Sequence, residues 1–257
     1  MAAVSPATHA ATPSMLVVMP TYNERANLEP VVAGILAHPF TRVLIVDDGS
    51  PDGTGALADA LAVRHPGRVK AMHRTGPRGL GRSYIDGLRH AITSGADTIC
   101  QMDADLSHDP SALPELAAAL QHYDLVIGSR YLNGAISVVN WPLHRIMLSA
   151  FANRYIRAVT GLSPRDCTSA YRAWRCSLLA QLPLQHARTS GYAFLPEMLV
   201  EAVRLGGRVG EVPILFVERR AGASKLSLHV LLESLLVPWL VVLRGGRVRR
   251  ADRPRRG

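Results

Sequence analysis

Cysteine is scarce in this sequence, and its spacing excludes several kinds of site. The three cysteines, Cys100, Cys167 and Cys176, are odd in number, lie far apart and form no CxxC pair. Zinc-binding and disulfide-stapled domains need pairs or clusters of cysteine. A reducing, cytoplasmic environment therefore fits the sequence best.

Long apolar runs and a secretory leader are also missing. The longest apolar stretch, residues 230–243, contains Glu233 and Pro238 and is shorter than the roughly eighteen uninterrupted residues of a membrane span. Residues 1–14 have neither a basic start nor an apolar centre, so we expect a disordered lead-in. Residues 227–243 are nevertheless apolar enough to need burial, either against the protein core or at a membrane surface.

Positive charge is concentrated at one end of the chain. Of the net charge of +9, residues 244–257 carry +6 from seven arginines and one aspartate, which leaves about +3 for the rest. A basic face within the domain, as nucleic-acid-binding proteins show, is therefore not indicated. A catalytically idle or nucleic-acid-binding module that uses the tail is the remote alternative, and salt-sensitive RNA binding lost with the tail would favour it.

Short apolar runs alternate with longer helix-periodic segments and predict an α/β fold. We expect strands at residues 16–19 (ended by Pro20), 42–46, 69–72, 98–102 and 125–127, and helices at 27–36, 54–64, from about 80 to 95, 141–160 and 194–205. This alternation is typical of βαβ units and a mostly parallel sheet. Residues 208–217 indicate a strand pair or one long strand. We expect one domain over residues 15–226, an apolar or amphipathic helix at 227–243 and an arginine-rich tail at 244–257.

Polar side chains follow three of the predicted strands. Tyr22 and Glu24 follow the first strand, Asp48 follows the second, and Asp103 and Asp105 follow the fourth. In a parallel sheet, ligands bind beyond the carboxyl ends of the strands. The sequence therefore predicts that these side chains converge at one edge of the sheet.

The triplet Asp103-Ala104-Asp105 points to a metal site. In extended backbone, two residues at this spacing project on the same side, and their carboxylates repel each other unless a cation lies between them. Oxygen ligands of this kind suit Mg²⁺ or Mn²⁺, which would also hold a diphosphate. The alternative is an acidic turn before a helix that begins at Asp109-Pro110.

Two other polar stretches have plain structural explanations. Asp47-Asp48-Gly49-Ser50 is rich in turn formers and by itself favours a helix-entry turn over a nucleotide contact. The glycine-rich residues 76–81 could cradle phosphate at a helix N-terminus. They lack the ending of a Walker loop and the spacing of a dinucleotide fingerprint, so neither an NTPase nor a dehydrogenase is indicated.

Four motifs follow one another along the chain: Pro20-Thr21-Tyr22-Asn23-Glu24, Val46-Asp47-Asp48-Gly49-Ser50-Pro51-Asp52-Gly53-Thr54, Met102-Asp103-Ala104-Asp105-Leu106-Ser107-His108 and Gly128-Ser129-Arg130-Tyr131. In this order they resemble the motifs of glycosyltransferase family 2 and, more narrowly, of its dolichol-phosphate (polyprenol-phosphate) mannose synthases. Shorter matches follow at Asn140-Trp141-Pro142, Asp166-Cys167-Thr168-Ser169 and Gly222-Ala223-Ser224-Lys225. The resemblance covers about residues 15–226. It implies the A-type glycosyltransferase (nucleotide-diphospho-sugar transferase) fold, here without the C-terminal membrane spans that many relatives carry.

The resemblance also implies which side chains hold each part of the substrates. The nucleotide-sugar would be bound by Pro20, Tyr22, Glu24, Val46, Asp48, Asp103, Ala104, Asp105, Ser107, Arg130, Arg219 and Lys225. Asp103, Asp105 and Ser107 would hold Mg²⁺ or Mn²⁺, with serine standing where many relatives have glutamine. Arg145 and Ser149, together with Arg130, would hold the acceptor's phosphate, and Asp105 and Arg130 are the implied catalytic residues. Whether Arg219 or Arg220 reaches the diphosphate is left open.

The implied reaction is inverting transfer of mannose from GDP-mannose to a polyprenyl phosphate of the dolichyl or undecaprenyl type. The alternative is transfer of glucose or another sugar from a UDP-sugar to the same kind of acceptor. Such an acceptor implies a peripheral position on the cytoplasmic face of a membrane, with the apolar helix and the arginine tail against anionic lipid. A membrane-anchoring partner protein is a further expectation, and nucleic acid is not an expected partner.

Overall fold

The computed structural model describes residues 14–132, 134, 136–184, 194–217 and 228–248. Within this part of the chain, seven strands form one sheet in the order β3-β2-β1-β4-β7-β5-β8, and two short strands, β6 and β9, form a second sheet. The strands are β1 (Met15–Thr21), β2 (Thr41–Asp47), β3 (Val69–His73), β4 (Thr98–Gln101), β5 (Leu125–Ser129), β6 (Val138–Val139), β7 (Arg172–Arg175), β8 (Val209–Pro213) and β9 (Phe216–Val217).

The large sheet is parallel except for one strand. β1 pairs in parallel with β2 and β4, β2 with β3, and β5 with β8. β7 pairs antiparallel with both β4 and β5 and so separates them. The expected mostly parallel sheet is confirmed, and the antiparallel β7 is an element that the apolar pattern did not predict.

Helices cover both faces of the sheet. They are α1 (Arg25–Leu36), α2 (Thr54–Arg64), α3 (Leu80–Ile92), α4 (Leu113–Ala119), α5 (Leu143–Thr160), α6 (Cys176–Leu179), α7 (Phe194–Arg204) and α8 (Leu228–Gly245), and a 3₁₀ turn at Pro110–Ala112 precedes α4. Alternate side chains of β1 enter different cores: Leu16 and Val18 pack with α3 and α7, whereas Val17 and Met19 pack with α1. The α/β sandwich follows from this alternation.

Helix α3 lies unusually close to the sheet at Gly87. A Cβ atom added there would lie 2.6 Å from Val18 Cγ1 and 2.8 Å from Val46 Cγ2. Neither side chain can retreat, because both are fully buried in the same core. The absence of a side chain at Gly87 therefore fixes the position of α3 over β1 and β2.

Three segments differ in detail from the sequence-based expectation. β1 continues through Pro20 to Thr21. β4 pairs with β1 only as far as Val18, so one side of β1 is unpaired at Pro20, and a proline, which has no N–H to donate, is tolerated there. The helix expected at 141–160 begins at Leu143, after Pro142. Residues 208–217 form two strands in different sheets, β8 beside β5 and β9 beside β6.

Helices α5 and α8 pack together and leave apolar side chains in solvent. Leu143, Met147 and Phe151 follow one another at intervals of four on α5 and are 72, 63 and 60% exposed. On α8, Val237 and Val241 are buried, while Trp239 and Leu243 are exposed. In the described part of the chain, no helix combines the length and apolarity needed to cross a membrane.

Candidate active site

A cavity of about 410 Å³ opens at the carboxyl ends of β1, β2 and β4. Its lining comes from the ends of these strands and from the N-terminal end of α3: Pro20, Thr21, Tyr22, Glu24, Asp48, Arg78, Gly79, Leu80, Ser83, Asp103, Ala104 and Asp105. Most of the residues that the resemblance assigned to the nucleotide-sugar therefore lie around one cavity. Its size is within the range of small-molecule sites.

The side of the cavity next to the end of β2 is held together by contacts of Asp48. The Arg74 guanidinium contacts Asp48 Oδ1, and the Gly79 N–H donates to Asp48 Oδ2 over 2.8 Å. Arg74 is almost wholly buried and also donates to Asp86 Oδ2 over 2.7 Å. Asp48 thus holds the loop before α3 in place as one side of the cavity.

The cavity lining also carries an aromatic ring and a cation. Arg78 donates from Nη1 to the Tyr22 hydroxyl over 2.7 Å, and its guanidinium carbon lies 4.9 Å from the centre of the Tyr22 ring. This ring and guanidinium offer flat surfaces of the kind on which a nucleobase stacks.

The turn after β4 presents the two carboxylates of the acidic triplet. Leu106 has a φ of 64°, which is uncommon for a branched side chain, so the turn depends on its hydrogen bonds. The Ser107 hydroxyl and backbone N–H both donate to Asp105 Oδ1, over 2.5 and 3.1 Å. The Tyr84 hydroxyl donates to Asp103 Oδ1 over 2.6 Å. Each carboxylate is therefore oriented by a hydroxyl group.

Tyr84 and His108 stay neutral at this turn. Burial, reinforced by the nearby negative charge of Asp103, raises the pKa of Tyr84 well above its ordinary value, so the phenol keeps its proton. Burial also lowers the pKa of His108. The neutral His108 accepts the Asp103 N–H at Nδ1 over 3.1 Å and stacks on Tyr171, with 4.8 Å between ring centres.

Phe216 joins this turn to a second cluster of side chains. It forms a β-bridge with His108 and lies edge-on to the His108 ring at 5.6 Å. Its ring also lies edge-on to Trp141 at 5.3 Å and 5.4 Å from the Arg130 guanidinium. The acidic turn (residues 103–108) and the cationic cluster (Arg130, Trp141 and Arg145) are therefore neighbours.

Arg130 forms a buried ion pair at the end of β5. Its Nε and Nη2 donate to the two oxygens of Asp166, each over 2.7 Å, and Nη2 also donates to Thr168 Oγ1 over 2.8 Å. Burial alone would raise the pKa of Asp166, but the Arg130 charge and these hydrogen bonds outweigh burial and hold that pKa below its usual value. Glu211 in turn accepts the Asp166 backbone N–H over 3.0 Å.

The first half of α5 contributes the other cationic group. The Arg145 guanidinium lies 4.2 Å from the centre of the Trp141 ring, and Arg130 lies 5.6 Å from the same ring. The Tyr131 hydroxyl donates to Ser149 Oγ over 2.6 Å. Two guanidinium groups thus lie beside one indole, and the Tyr131 ring, 5.6 Å from the Arg130 guanidinium, joins the two hydroxyls to this cluster. The arrangement is suited to an anion.

The acidic turn fits a divalent cation in its chemistry. Asp103 and Asp105 supply hard carboxylate oxygens, the ligand type that Mg²⁺ and Mn²⁺ prefer. Within the described ranges, no three histidine, cysteine, aspartate or glutamate side chains converge on a common point that could hold a metal. Two carboxylates alone leave most of the cation's coordination to other oxygens, such as those of a phosphate or water.

The predicted site residues do not all face the cavity. Val46 is fully buried in the core beneath α3, because side chains alternate along β2. The cavity lining does not include Ser107, which lies in the acidic turn, or Arg130, Arg145 and Ser149. Arg219, Arg220 and Lys225 lie outside the described residues.

Sequence reasoning missed Arg74, Tyr84 and Asp166. Arg74 and Tyr84 lie in segments with no motif of their own, and only the fold brings them to Asp48 and Asp103. Asp166 belonged to a motif but was given no role, because nothing in the polar sequence around it marks it as the buried partner of Arg130.

Comparison with known proteins assigns the chain to a family. The family model of glycosyl transferase family 2 matches residues 16–182, well over half of the chain. The chain belongs to glycosyltransferase family 2. Family membership makes it a glycosyltransferase and agrees with the order of motifs in the sequence.

Two known proteins are similar to this chain over most of their length. One is polyprenol monophosphomannose synthase from Mycolicibacterium smegmatis, 46% identical over 225 residues that cover 86% of this chain and 84% of the relative. The other is undecaprenyl-phosphate mannosyltransferase from Micrococcus luteus, 46% identical over 215 residues that cover 83 and 87%. The chain is therefore similar to whole proteins of this type, not to a shared segment alone.

Solved structures support the A-type glycosyltransferase fold. Glucosyl-3-phosphoglycerate synthase from Mycobacterium tuberculosis, solved with Mn²⁺, UDP and glucosyl-3-phosphoglycerate, superposes with a TM-score of 0.64. The two sequences are 20% identical, and the match covers 91% of this chain and 81% of the other. At this identity the likeness concerns the fold.

Proposed function

We propose that this protein transfers mannose from GDP-mannose to a polyprenyl phosphate and inverts the anomeric centre. The observation that carries the proposal is the 46% identity to two relatives that are both named for mannose transfer to, or synthesis on, a polyprenyl-type phosphate. The alignment spans more than four fifths of each chain, so it includes both the acidic turn and the cationic cluster.

The donor would occupy the cavity at the strand ends. Tyr22 and Arg78 would meet the base, and the loop held by Asp48 would border the ribose. Asp103 and Asp105 would hold a divalent cation, Mg²⁺ or Mn²⁺, which would neutralise the diphosphate as it leaves. The solved neighbour with Mn²⁺ and UDP supports the idea of a cation in this fold.

The acceptor's phosphate would lie beside Trp141. Arg145 and Arg130 supply positive charge there, and the Ser149 hydroxyl lies within the same group. Because Arg130 is held by Asp166, its guanidinium has a fixed position before any ligand arrives. A preorganised cation needs little rearrangement to bind an anion.

The chemistry needs no dedicated general base. A lipid phosphate is already an anion at neutral pH, so one of its oxygens can attack the sugar's anomeric carbon directly. The new bond joins that carbon to the acceptor oxygen, and the bond to the donor's β-phosphate oxygen breaks, with its electron pair leaving on GDP. The main task of the protein is to align two anions that repel each other, and the arginines and the acidic turn's cation would offset that repulsion.

Transfer from a radiolabelled donor to a short polyprenyl phosphate tests the proposal. GDP-mannose and UDP-glucose are supplied in parallel with Mg²⁺ or Mn²⁺, and lipid-linked label is measured. We expect label from GDP-mannose in the organic phase. Label from UDP-glucose alone would contradict the mannose assignment and support the alternative donor, and label from neither would contradict lipid-phosphate transfer.

The membrane side of the proposal rests on α5 and α8. On α5, Arg145 and Ser149 face the cationic cluster, while Leu143, Met147 and Phe151 are exposed. A helix with its polar face turned inward and its apolar face outward suits the interface of a bilayer. With the exposed side chains of α8 and the arginine tail, this surface would lie on anionic lipid at the cytoplasmic face.

Vesicle flotation tests the membrane proposal. A Leu143→Ser/Phe151→Ser variant and a truncation after Ser227 are compared with the full chain on vesicles containing anionic phospholipid, with Val63→Ser as the control. Val63 is 83% exposed but lies on α2, away from this surface. We expect reduced flotation of the first two variants only, and equal flotation of all four proteins would remove the membrane role.

A further inference from the structure

Tyr84 connects a buried helix to the acidic turn. It lies on α3 with its side chain fully buried, and its ring stacks on Phe194 with 5.5 Å between centres. Its hydroxyl donates to Asp103 Oδ1 over 2.6 Å, a length typical of a strong hydrogen bond to a carboxylate. A buried phenol therefore touches the first of the two carboxylates.

The position of that hydroxyl is determined by the packing of the whole helix. Gly87, three residues further along α3, brings the helix against Val18 and Val46, where an added Cβ would lie less than 3 Å from either side chain. At the N-terminal end of the same helix, Gly79, Leu80 and Ser83 line the cavity. Hence α3 cannot shift without moving both the cavity wall and the donor to Asp103.

Asp103 is also held from its other side. Its backbone N–H donates to His108 Nδ1 over 3.1 Å, and the stacked His108 and Tyr171 rings fix that imidazole. The backbone of Asp103 is thus oriented by His108 and its carboxylate by Tyr84. In metal sites, groups that hydrogen-bond to a ligand carboxylate without touching the metal set the orientation of that carboxylate.

We propose that Tyr84 is a positioning residue for the divalent cation: through its hydrogen bond it orients the Asp103 carboxylate and ties cation binding to the position of α3. The inference rests on the proposed function in taking Asp103 as a cation ligand. It adds a residue outside the sequence motifs, and it makes the helix that borders the donor cavity a part of the cation site.

Direct measurement of Mn²⁺ binding tests the proposal without relying on turnover. Free Mn²⁺ is followed by electron paramagnetic resonance as the metal is titrated into the protein with GDP present. Tyr84→Phe keeps the ring on Phe194 and removes only the hydroxyl. Loss of a group that hydrogen-bonds to a metal ligand commonly weakens metal binding about 10- to 100-fold. We therefore expect the Mn²⁺ dissociation constant to rise about tenfold or more.

Tyr155→Phe is the matched control. Tyr155 lies on α5 and packs against the core that contains Tyr84, and its hydroxyl donates to the Leu235 backbone carbonyl over 2.6 Å, the same length as the bond from Tyr84. We expect this variant to bind Mn²⁺ like the unaltered protein. Equal weakening by both variants would overturn the proposal, because the loss would then reflect general loosening of the core.

A double-mutant cycle tests whether Tyr84 acts through Asp103. Once Asp103 is alanine, adding Tyr84→Phe should change the remaining Mn²⁺ affinity no further, whereas additive losses would overturn the proposal. Thermal unfolding of each variant establishes that it is folded at the temperature of the titration. Unchanged Mn²⁺ binding in folded Tyr84→Phe would overturn the proposal as well.

The same titrations separate this inference from the proposed function. If the unaltered protein binds Mn²⁺ with GDP but transfers no mannose, the proposed function fails and the Tyr84 result still stands. If it transfers mannose and Tyr84→Phe has normal Mn²⁺ affinity and normal metal dependence, only the Tyr84 inference fails.

Discussion

The Ser107 hydroxyl donates to Asp105 Oδ1 over 2.5 Å, and the Ser107 backbone N–H donates to the same oxygen over 3.1 Å. Asp105 is buried, so this short turn fixes the direction of its carboxylate. Ser107 stands where the resemblance placed a third metal ligand, and its ligation stays a prediction. Orientation of Asp105 is a role that its observed contacts support.

Ser107→Ala should weaken the cation site without abolishing it. The backbone N–H remains, and the lost hydroxyl contributes about 1 kcal/mol, so the Mn²⁺ concentration for half-maximal transfer should rise about fivefold. Metal titration of the transfer rate measures this. Complete loss of activity at saturating Mn²⁺ would contradict the orienting role and favour direct ligation.

Asp105→Ala should abolish transfer with Mg²⁺, Mn²⁺ or any other added divalent cation. The variant removes one of two carboxylates at the acidic turn, and the remaining charge is insufficient to hold a cation and a diphosphate together. The matched control is Asp109→Asn, four residues further on and exposed, whose carboxylate accepts the Ser111 N–H at the start of the 3₁₀ turn. Near-normal turnover of Asp105→Ala would contradict the metal assignment.

Trp141→Phe should raise the acceptor KM and leave the donor KM unchanged. Arg130 and Arg145 both lie on the Trp141 ring, and the indole N–H is buried with no hydrogen-bond partner among the described residues. Phenylalanine keeps an aromatic face but loses the N–H, which is available to a phosphate oxygen. A hydrogen bond to a charged group is worth about 1.5 kcal/mol or more, or roughly tenfold in KM. Steady-state kinetics in each substrate measure the effect, and a parallel rise in the donor KM would contradict the assignment to the acceptor.

Asp166→Asn should destabilise the protein strongly. The variant leaves the buried Arg130 charge without its counterion, a change that costs about 3 to 5 kcal/mol. The exposed pair between Arg64 and Glu29 offers the comparison, since Glu29→Gln should cost about 1 kcal/mol or less. Urea unfolding at neutral pH measures the free energy of unfolding of both variants. Equal losses in the two variants would contradict the importance of the buried pair.

The same pair should make stability depend on pH in a defined direction. The pKa of Asp166 is lowered in the folded state, so its contribution is complete above the unfolded value of 3.8 and is lost as the pH falls below that value towards the folded pKa. The stability difference between the unaltered protein and Asp166→Asn should therefore be constant from pH 7 to about pH 5 and shrink below about pH 4. A difference that widens on acidification would contradict this sign.

The sequence predicted the parts of the fold that follow simple periodicity. β1, β2, β3, β4 and β5 lie close to their predicted positions because each is a short apolar run between turn formers. The position of the cavity at one edge of the sheet was also predictable, because parallel strands bring their carboxyl ends together.

β7 was not predictable in this way. Its sequence, Arg172-Ala173-Trp174-Arg175, has arginine at both ends, yet Arg172 is fully buried. Its guanidinium donates to three backbone carbonyls, those of Cys167, Ser169 and Leu195, over 2.6 to 2.8 Å. Burial lowers the pKa of Arg172 to about 10. Cys167 and Ser169 lie close to Arg172 in the sequence, but Leu195 is 23 residues away and reaches it only in the complete fold, so no local pattern marks Arg172 as buried.

The insertion of β7 between β4 and β5 has a consequence for how the molecule is assembled. β4 and β5 carry the acidic turn and Arg130, and each pairs with β7 and not with the other. The edges of β4 and β5 that pair with β7 must therefore wait for a segment that leaves the ribosome about 70 residues after β4 and about 45 residues after β5, and such non-local pairing slows folding. In a nascent chain that ends before Arg172, β1, β2, β3 and β4 are present, but the edge of β4 has no strand to pair with. The acidic turn after β4 and Arg130 after β5 are therefore brought together only when β7 is inserted.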